Sequence, residues 1–290
     1  MSTATLPVAD DEDQLPIVRR RSPLRLLGML VMLVLAAMLV NTLITNERFE
    51  WAVVAQYLTV EAVVAGALLT LELTAIAMVL GVALGIVLAL MRMSRSRLLA
   101  STSWGFVWFF RGTPLLIQLI FWFNLSALYP ALSLGIPFGP EFVTGSSNAF
   151  ITPFVAAVLG LSLNEAAYMA EIVRGGLLGV DRGQTEAAQA LGMRRLHMLH
   201  RIVLPQAMRI IVPPVANQTL SMLKNTSLVS VLGAADLLHS AQIIYSRTYQ
   251  TVPLLIVAAL WYLAMTSVLS VGQYYVERYY RRGDRSVLPS

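Results

Sequence analysis

Ionisable and amide side chains recur inside the apolar stretches of this chain, and their spacing is helical. Asn217, Ser221 and Lys224 or Asn225 fall along one face of a helix, as do Asn164, Tyr168 and Glu171, with Glu165 beside them. Glu72 stands with Thr70 and Thr74 in an earlier apolar run, and Gln118 in another. Such groups are costly in hydrocarbon, so they face a protein interior or an aqueous path. Two roles are open to them: lining a route for a polar solute, or holding a helix bundle together by hydrogen bonds and ion pairs. Glu171, one turn from Arg174, fits the second. Bond-making chemistry finds little support. The chain has no cysteine, which removes disulfides, thiolate metal sites and cysteine nucleophiles. No His-Glu-x-x-His or comparable pairing of nucleophile and base stands in the apolar runs. His197 and His200 sit among Arg194, Arg195 and Arg201 without an adjacent carboxylate, which argues against a metal site, and His239 is alone in an expected external loop. No catalytic residue, metal site or cofactor site is assigned.

The elements that must position these groups are membrane spans. Of 290 residues, 57% are hydrophobic and 13% charged, about half the charged share of an ordinary globular domain. Apolar runs of roughly 20 residues, the length that crosses a bilayer, recur along the chain, so no soluble domain with its own core remains. Residues 1–23 read as a cytoplasmic tail, with Asp10, Asp11, Glu12 and Asp13 followed by Arg19, Arg20 and Arg21. The run Leu24 to Ile44 is too long for a signal-peptide core and lacks a cleavage pattern, so residues 24–60 read as a retained helix and an external loop. A second run, Ala62 to Met91, ends in Arg92, Arg95 and Arg97. The third, Leu98 to Tyr129, is interrupted at Arg111-Gly112-Thr113-Pro114, where Thr113 can cap a new helix and Pro114 suits its first position. The piece before the break, with Trp104 and Trp108, is placed at the interface, and the piece after it crosses. Pro130 to Asn148 reads as an external loop. Further spans cover about Ile151 to Val173, Ile210 to Leu232 and Pro253 to Val276, and residues 281–290 form a basic tail.

Lysine and arginine test this layout, since they concentrate on the cytoplasmic side. Of the 21, only Arg48 and Arg247 fall outside, and Arg111, Arg174 and Lys224 lie within or beside spans. The expectation is an all-α integral membrane protein of six transmembrane helices with both termini cytoplasmic. Its net charge of +5 serves topology, so nucleic acid is not an expected partner.

The longest polar stretch inside the apolar region contains Val180-Asp-Arg-Gly-Gln-Thr185-Glu186-Ala187-Ala188-Gln-Ala-Leu-Gly192 and then Ile202-Val-Leu204-Pro205. Thr185 is a plausible N-cap, Glu186 favours the positive helix end, and Gly192 can take the left-handed conformation that ends a helix. A second amphipathic piece, Met193 to Leu204, should stop at Pro205. The result is two short helices meeting at a glycine corner.

Glu186, Ala187, Ala188, Gly192, Leu204 and Pro205 match the EAA signature of permease subunits of ATP-binding-cassette (ABC) importers. The run Phe110-Arg-Gly-Thr-Pro-Leu-Leu-Ile-Gln118 and the stretch Asn164-Glu-Ala-Ala-Tyr168 to Gly183-Gln184 resemble the branch that imports polar amino acids. The resemblance covers about residues 61–280 and implies a type I permease core of five helices, with the first helix additional to it. It also implies a coupling loop, residues 175–209, that docks on a separate ATPase. The implied partners are two copies of that ATPase, which carries the ATP and Mg, a second permease subunit, identical or related, and an extracytoplasmic substrate-binding protein. The implied setting is the bilayer of a bacterial inner membrane. An amino acid bears a carboxylate and an ammonium, so a path for it needs donors such as Lys224 and acceptors such as Glu165 or Glu72. Candidate lining residues are Glu72, Gln118, Asn164, Glu165, Tyr168, Asn217, Ser221 and Lys224. The chain has no Gly-x-x-x-x-Gly-Lys-Ser/Thr phosphate loop, so the resemblance implies a transmembrane subunit and not an enzyme. A permease for another small solute, such as an opine or a metal chelate, remains open. A membrane scaffold is a further alternative, though it leaves the Glu186 to Pro205 pattern unexplained.

Overall fold

A computed structural model describes residues 23–136 and 139–281. The acidic cluster at Asp10 to Asp13, Arg19 to Arg21, and the tail residues Arg282 and Arg285 lie outside the described residues. The described residues divide into two compact units, one up to Phe49 and one from Glu50 onward. In the first, α1 (Pro23–Thr45) carries no charge between Arg25 and Glu47, which suits a helix that spans hydrocarbon.

The second unit opens with α2 (Trp51–Tyr57), α3 (Glu61–Arg92), α4 (Arg97–Gly112), α5 (Leu115–Phe123) and α6 (Leu125–Leu128). A hairpin of β1 (Ala131–Gly135) and β2 (Glu141–Ser146) follows, then α7 (Ser147–Phe150), α8 (Pro153–Leu178), α9 (Arg182–Ala190) and α10 (Arg195–Met198). The chain continues through a π-helical segment (Leu199–Val203), α11 (Leu204–Asn225), a 3-10 segment (Thr226–Leu232), α12 (Leu237–Thr248) and α13 (Thr251–Arg281). Among the described helices, α1, α3, α8 and α13 are individually long and apolar enough to cross a membrane. The number rises to six if two bent pairs each count as one span: α4 with α5, bent by 102°, and Arg195–Leu232 with α12, bent by 45°.

Two departures from the expected layout lie between α6 and α8 and after the 3-10 segment. The expected loop from Pro130 to Asn148 contains the antiparallel hairpin, paired from Ala131↔Ser146 to Gly135↔Glu141 with an irregularity at Leu134 and Gly135. Its base is closed by Ser147, whose amide donates to the Pro130 carbonyl at 3.0 Å and whose hydroxyl donates to the Tyr129 carbonyl. The region expected as an external loop around His239 is the start of α12. Asp236 caps that helix by accepting from the amides of Leu238 and His239, each at 3.2 Å.

Helix α8 is the centre of this unit. In its apolar window 61% of residues are buried, against 44% for α3 and 22% for α13. Its buried positions are mostly small, including Ala156, Ala157, Gly160, Ala166, Ala167 and Ala170, which lets neighbouring backbones come close, as packing in lipid requires. The closest approach is to α3. A Cβ placed on Gly85 would meet the Met169 side chain and lie 3.0 Å from the Ala166 carbonyl oxygen. One on Gly81 would stand 2.7 Å from the Glu165 side chain. On the other sides of α8, Gly160 admits Leu119 of α5 and Gly176 admits Ile211 of α11. A serine ties in α4, since the Ser103 hydroxyl donates to the Leu88 carbonyl of α3 at 2.7 Å.

Substituting Gly85 by Val should therefore destabilise the folded chain by about 1–3 kcal/mol through overpacking. Gly105→Ala, in α4 with open space at the Cβ position, should be neutral or stabilise by up to about 1 kcal/mol. Thermal unfolding of both variants in detergent checks this, and equal melting temperatures would remove the close approach as a stability determinant.

Candidate functional site

The interruption in the third apolar run determines where the polar groups meet. The residue before a proline is pushed to extended backbone, and Thr113 has φ −110° and ψ 143°, which ends α4. Thr113 is thus the C-cap of α4, and its hydroxyl donates back to the Phe109 carbonyl at 2.9 Å. It does not cap the following helix. Pro114 precedes α5, which begins at Leu115. The carbonyls freed at the end of α4 are buried within the protein and need internal donors. Gln118 supplies them: its Nε2 group donates to the carbonyls of Phe110 (2.9 Å) and Thr113 (3.1 Å) and to the Thr113 hydroxyl (2.7 Å). Asn164 reinforces the arrangement from α8, donating from Nδ2 to the Phe110 carbonyl at 2.9 Å and to Gln118 Oε1 at 3.2 Å. Both amides are buried, at 4% and 6% exposure.

Below this break lies a cavity of about 500 Å³, lined by Arg111, Thr113 and Pro114 from the break, Asn164 and Tyr168 from α8, and Gln218, Ser221 and Asn225 from α11. Among the described residues Arg111 is the one charged residue in its lining, and its guanidinium lies over the Tyr168 ring, 5.2 Å from the centroid. Of the eight candidate lining residues, Asn164, Tyr168 and Ser221 come together here. Gln118 stands directly behind, committed to the break. Glu165 is 1% exposed and accepts from Gln218 Nε2 at 3.2 Å through Oε2, while its Oε1 has no hydrogen-bond partner among the described residues. It therefore reaches the cavity only through Gln218.

Glu72, Asn217 and Lys224 do not join them. Glu72 is exposed on α3, Asn217 is exposed on α11, and Lys224 lines a separate pocket of about 320 Å³ with Ser227 and Tyr262. The cavity face of α11 runs through Gln218, Ser221 and Asn225, one residue round from the face traced through Asn217. Gln218 and Arg111 were missed as lining groups, although an arginine beside a Gly-Thr-Pro break in an apolar run is a visible signal. Glu171 and Arg174 form an ion pair at 2.6 Å, with Arg174 Nε also donating at 3.1 Å. Among the described residues no group of three or more His, Cys, Asp or Glu side chains is placed to hold a metal.

The second candidate region is the polar stretch after α8. Helix α9 is capped by Asp181, whose carboxylate accepts from the Gly183 amide at 2.8 Å. Thr185 lies inside the helix and donates to the Arg182 carbonyl at 2.7 Å, so it is not the cap, and Glu186 falls beyond the first turn. The competition went to Asp181 because it sits at the corner where α8 ends and its carboxylate is the stronger acceptor. At the far end, Gly192 has φ +73°. Its amide donates to the Gln189 carbonyl (2.9 Å), and the Met193 amide donates to that of Ala188 (3.1 Å), the paired closure that a left-handed residue permits. Ala188 is buried, while Glu186, Ala187 and Gly192 are exposed and Leu191 is 82% exposed.

Pro205 does not stop the second piece. It occupies the first turn of α11, where its missing N–H is harmless, and the π-helical segment Leu199–Val203 joins α10 to α11 without a gap. The helix therefore begins upstream of Ile210, where the span was expected to start, and runs to Asn225 with Pro213 and Pro214 inside it.

Comparison with known proteins places these features in context. Residues 81–282 match the family described as binding-protein-dependent transport system inner membrane component. The chain is 43% identical over 270 residues to the arginine transport system permease protein ArgU of Corynebacterium glutamicum, covering 92% of this chain and 84% of that one. It is 37% identical over 201 residues to the nopaline transport system permease protein NocM of Agrobacterium fabrum, covering 69% and 80%. Among solved structures, an amino acid ABC transporter crystallised with histidines is similar at 36% identity, with a TM-score of 0.64 over 75% of this chain and 93% of that one.

Replacing Gln118 by Leu keeps the volume and removes the donors at the break. The variant should lose about 1–3 kcal/mol, seen as a lowered melting temperature in detergent. An unchanged melting temperature would mean that Asn164 and the Thr113 hydroxyl suffice.

Proposed function

The chain belongs to the family of binding-protein-dependent transport system inner membrane components, and from that premise we propose that it forms the translocation path of an ABC importer for a polar amino acid. The observation that carries the substrate reading is the cavity beside the α4–α5 break. It gathers amides, hydroxyls and one cation, with no carboxylate among the described residues of its lining. Such a lining suits a solute with a carboxylate. Arg111 would meet that carboxylate, and the carbonyl and hydroxyl oxygens of Gln218, Ser221 and Asn225 would meet an ammonium or a polar side chain. Asn164 has its amide donors engaged at the break and contributes mainly position.

Power comes from outside the chain. We assign the corner formed by Glu186, Ala187, Ala188 and Gly192 to the contact with a separate ATPase, two copies of which carry ATP and Mg. Ala188 is buried where α9 packs on α10 and the π-helical segment, and the exposed Glu186, Ala187 and Leu191 are left to dock. Helix α10, the π segment and α11, which holds Leu204 and Pro205 in its first turn, run on from that corner to the cavity face. Movement of the corner thus has a covalent route to the substrate. Exchange between inward-open and outward-open arrangements is alternating access, and the subunit makes and breaks no bonds itself. Glu72 and Lys224 carry charge on exposed faces of spanning helices, which lipid disfavours, so they are assigned to face a second permease subunit or the path between the two. A binding protein on the far side delivers the cargo. A second reading, with an opine as cargo, draws on the similarity to the nopaline permease, and an opine carboxylate would use the same arginine.

Uptake assays in proteoliposomes containing the chain, its ATPase and its binding protein, across a panel of amino acids and opines, test the reading, and co-purification with an ATPase separates it from a scaffold. Arg111→Gln should cut uptake tenfold or more, the loss of about 1.5–3 kcal/mol from a charged hydrogen bond, while ATPase association stays intact; normal uptake would refute the carboxylate contact. Gly192→Val forces a branched residue to positive φ at a cost of about 1–2 kcal/mol. It should leave ATP hydrolysis measurable but no longer matched to transport, and wild-type ATP-driven uptake would exclude the corner as the coupling element.

A further inference from the structure

A second polar recess opens where α11 begins and α13 ends. It is a groove of about 520 Å³, lined by Leu204, Pro205, Met208 and Arg209 from α11 and by Tyr279 and Tyr280 from α13. Arg209 is exposed and makes no hydrogen bond or ion pair among the described residues, in contrast to Arg174. The last turns of α13 expose Tyr274 (60%), Tyr275 (62%) and Tyr279 (67%) around an exposed Arg278. Tyrosines gathered at the end of a spanning helix, with arginines beside them, mark the depth of the membrane–water boundary.

The groove is therefore cationic and rich in hydroxyls on one side, apolar on the other, and set at headgroup level. We propose that it binds an anionic phospholipid. Arg209 would hold the phosphate in charge-assisted hydrogen bonds, the phenol hydroxyls of Tyr279 and Tyr280 would donate to its remaining oxygens, and Leu204 and Met208 would lie against the first part of an acyl chain. Free phosphate matches the arginine but leaves the apolar side of the groove unused, and a zwitterionic lipid leaves the positive charge only partly balanced. The assignment rests on the groove and on the membrane setting, and is independent of what the chain transports.

Full-length protein in nanodiscs of equal phosphatidylglycerol and phosphatidylcholine, examined by native mass spectrometry after mild release, tests the site. Wild type should retain phosphatidylglycerol in preference to phosphatidylcholine. Arg209→Gln should weaken that retention roughly tenfold, whereas Arg95→Gln, at an exposed arginine after α3, should not. Tyr280→Phe, which removes one hydroxyl and keeps the ring, should give a smaller loss and serves as the deciding variant if Arg209→Gln does not fold. Equal retention of the two lipids, wild-type retention by Arg209→Gln, or equal thermal stabilisation by inorganic phosphate and by phosphatidylglycerol would overturn the proposal. So would loss of the lipid when the ATPase binds, since the groove would then be a protein contact.

Discussion

A helix whose last carbonyls are buried in protein must find partners for them without water, and this constraint organises the cavity region. Thr113 and Pro114 end α4, and the freed groups are taken up by Gln118 from the next helix and Asn164 from α8. Those bonds hold the 102° bend open. Because the bend is held, Arg111 is carried over Tyr168 instead of continuing along a straight span, and a cavity appears between α4, α8 and α11. Two of the polar residues that look most like solute ligands are therefore spent on making the space rather than on filling it.

Helix α8 supplies the other half of the arrangement. Small residues along it let α3, α5 and α11 approach its backbone closely, as Gly85, Gly160 and Gly176 record on three sides. Close approach in lipid draws its stability from dispersion and fit, since hydrocarbon tails compete equally for apolar surface. The same tight seam between α3 and α8 buries Glu165 next to Gly81 and leaves Gln218 as its partner. A carboxyl group held this way shapes the orientation of a cavity-lining amide from behind.

Much of this was legible in the residues. Apolar runs located the long helices, the Gly-Thr-Pro interruption located the break, Gly192 located the corner, and the Glu171–Arg174 spacing foretold an ion pair. The misses share a cause: local signals were given meanings that tertiary context reassigns. Pro205 reads as a stop, yet a π-helical turn upstream lets it start a helix instead. Thr185 reads as a cap, but Asp181 is nearer the chain reversal. Asn217, Ser221 and Lys224 or Asn225 share one face of α11 by spacing, and the cavity takes Ser221 and Asn225 with Gln218, because neighbouring helix faces differ by a single residue. The hairpin between α6 and α7 lies in a stretch of Pro, Gly and Ser, where alternation is too short to separate strand from loop.

The π-helical segment at Leu199–Val203 also sets how the corner and the cavity face are geared to one another. A π turn holds one more residue than an α turn would in the same place. Were that extra residue absorbed, everything on its N-terminal side, including α10 and the Gly192 corner, would turn by about 100° and shift by about 1.5 Å along the axis of α11. The joint thus fixes the phase between the two ends of one continuous helix, as the keyway fixes the angle between a shaft and the wheel it carries.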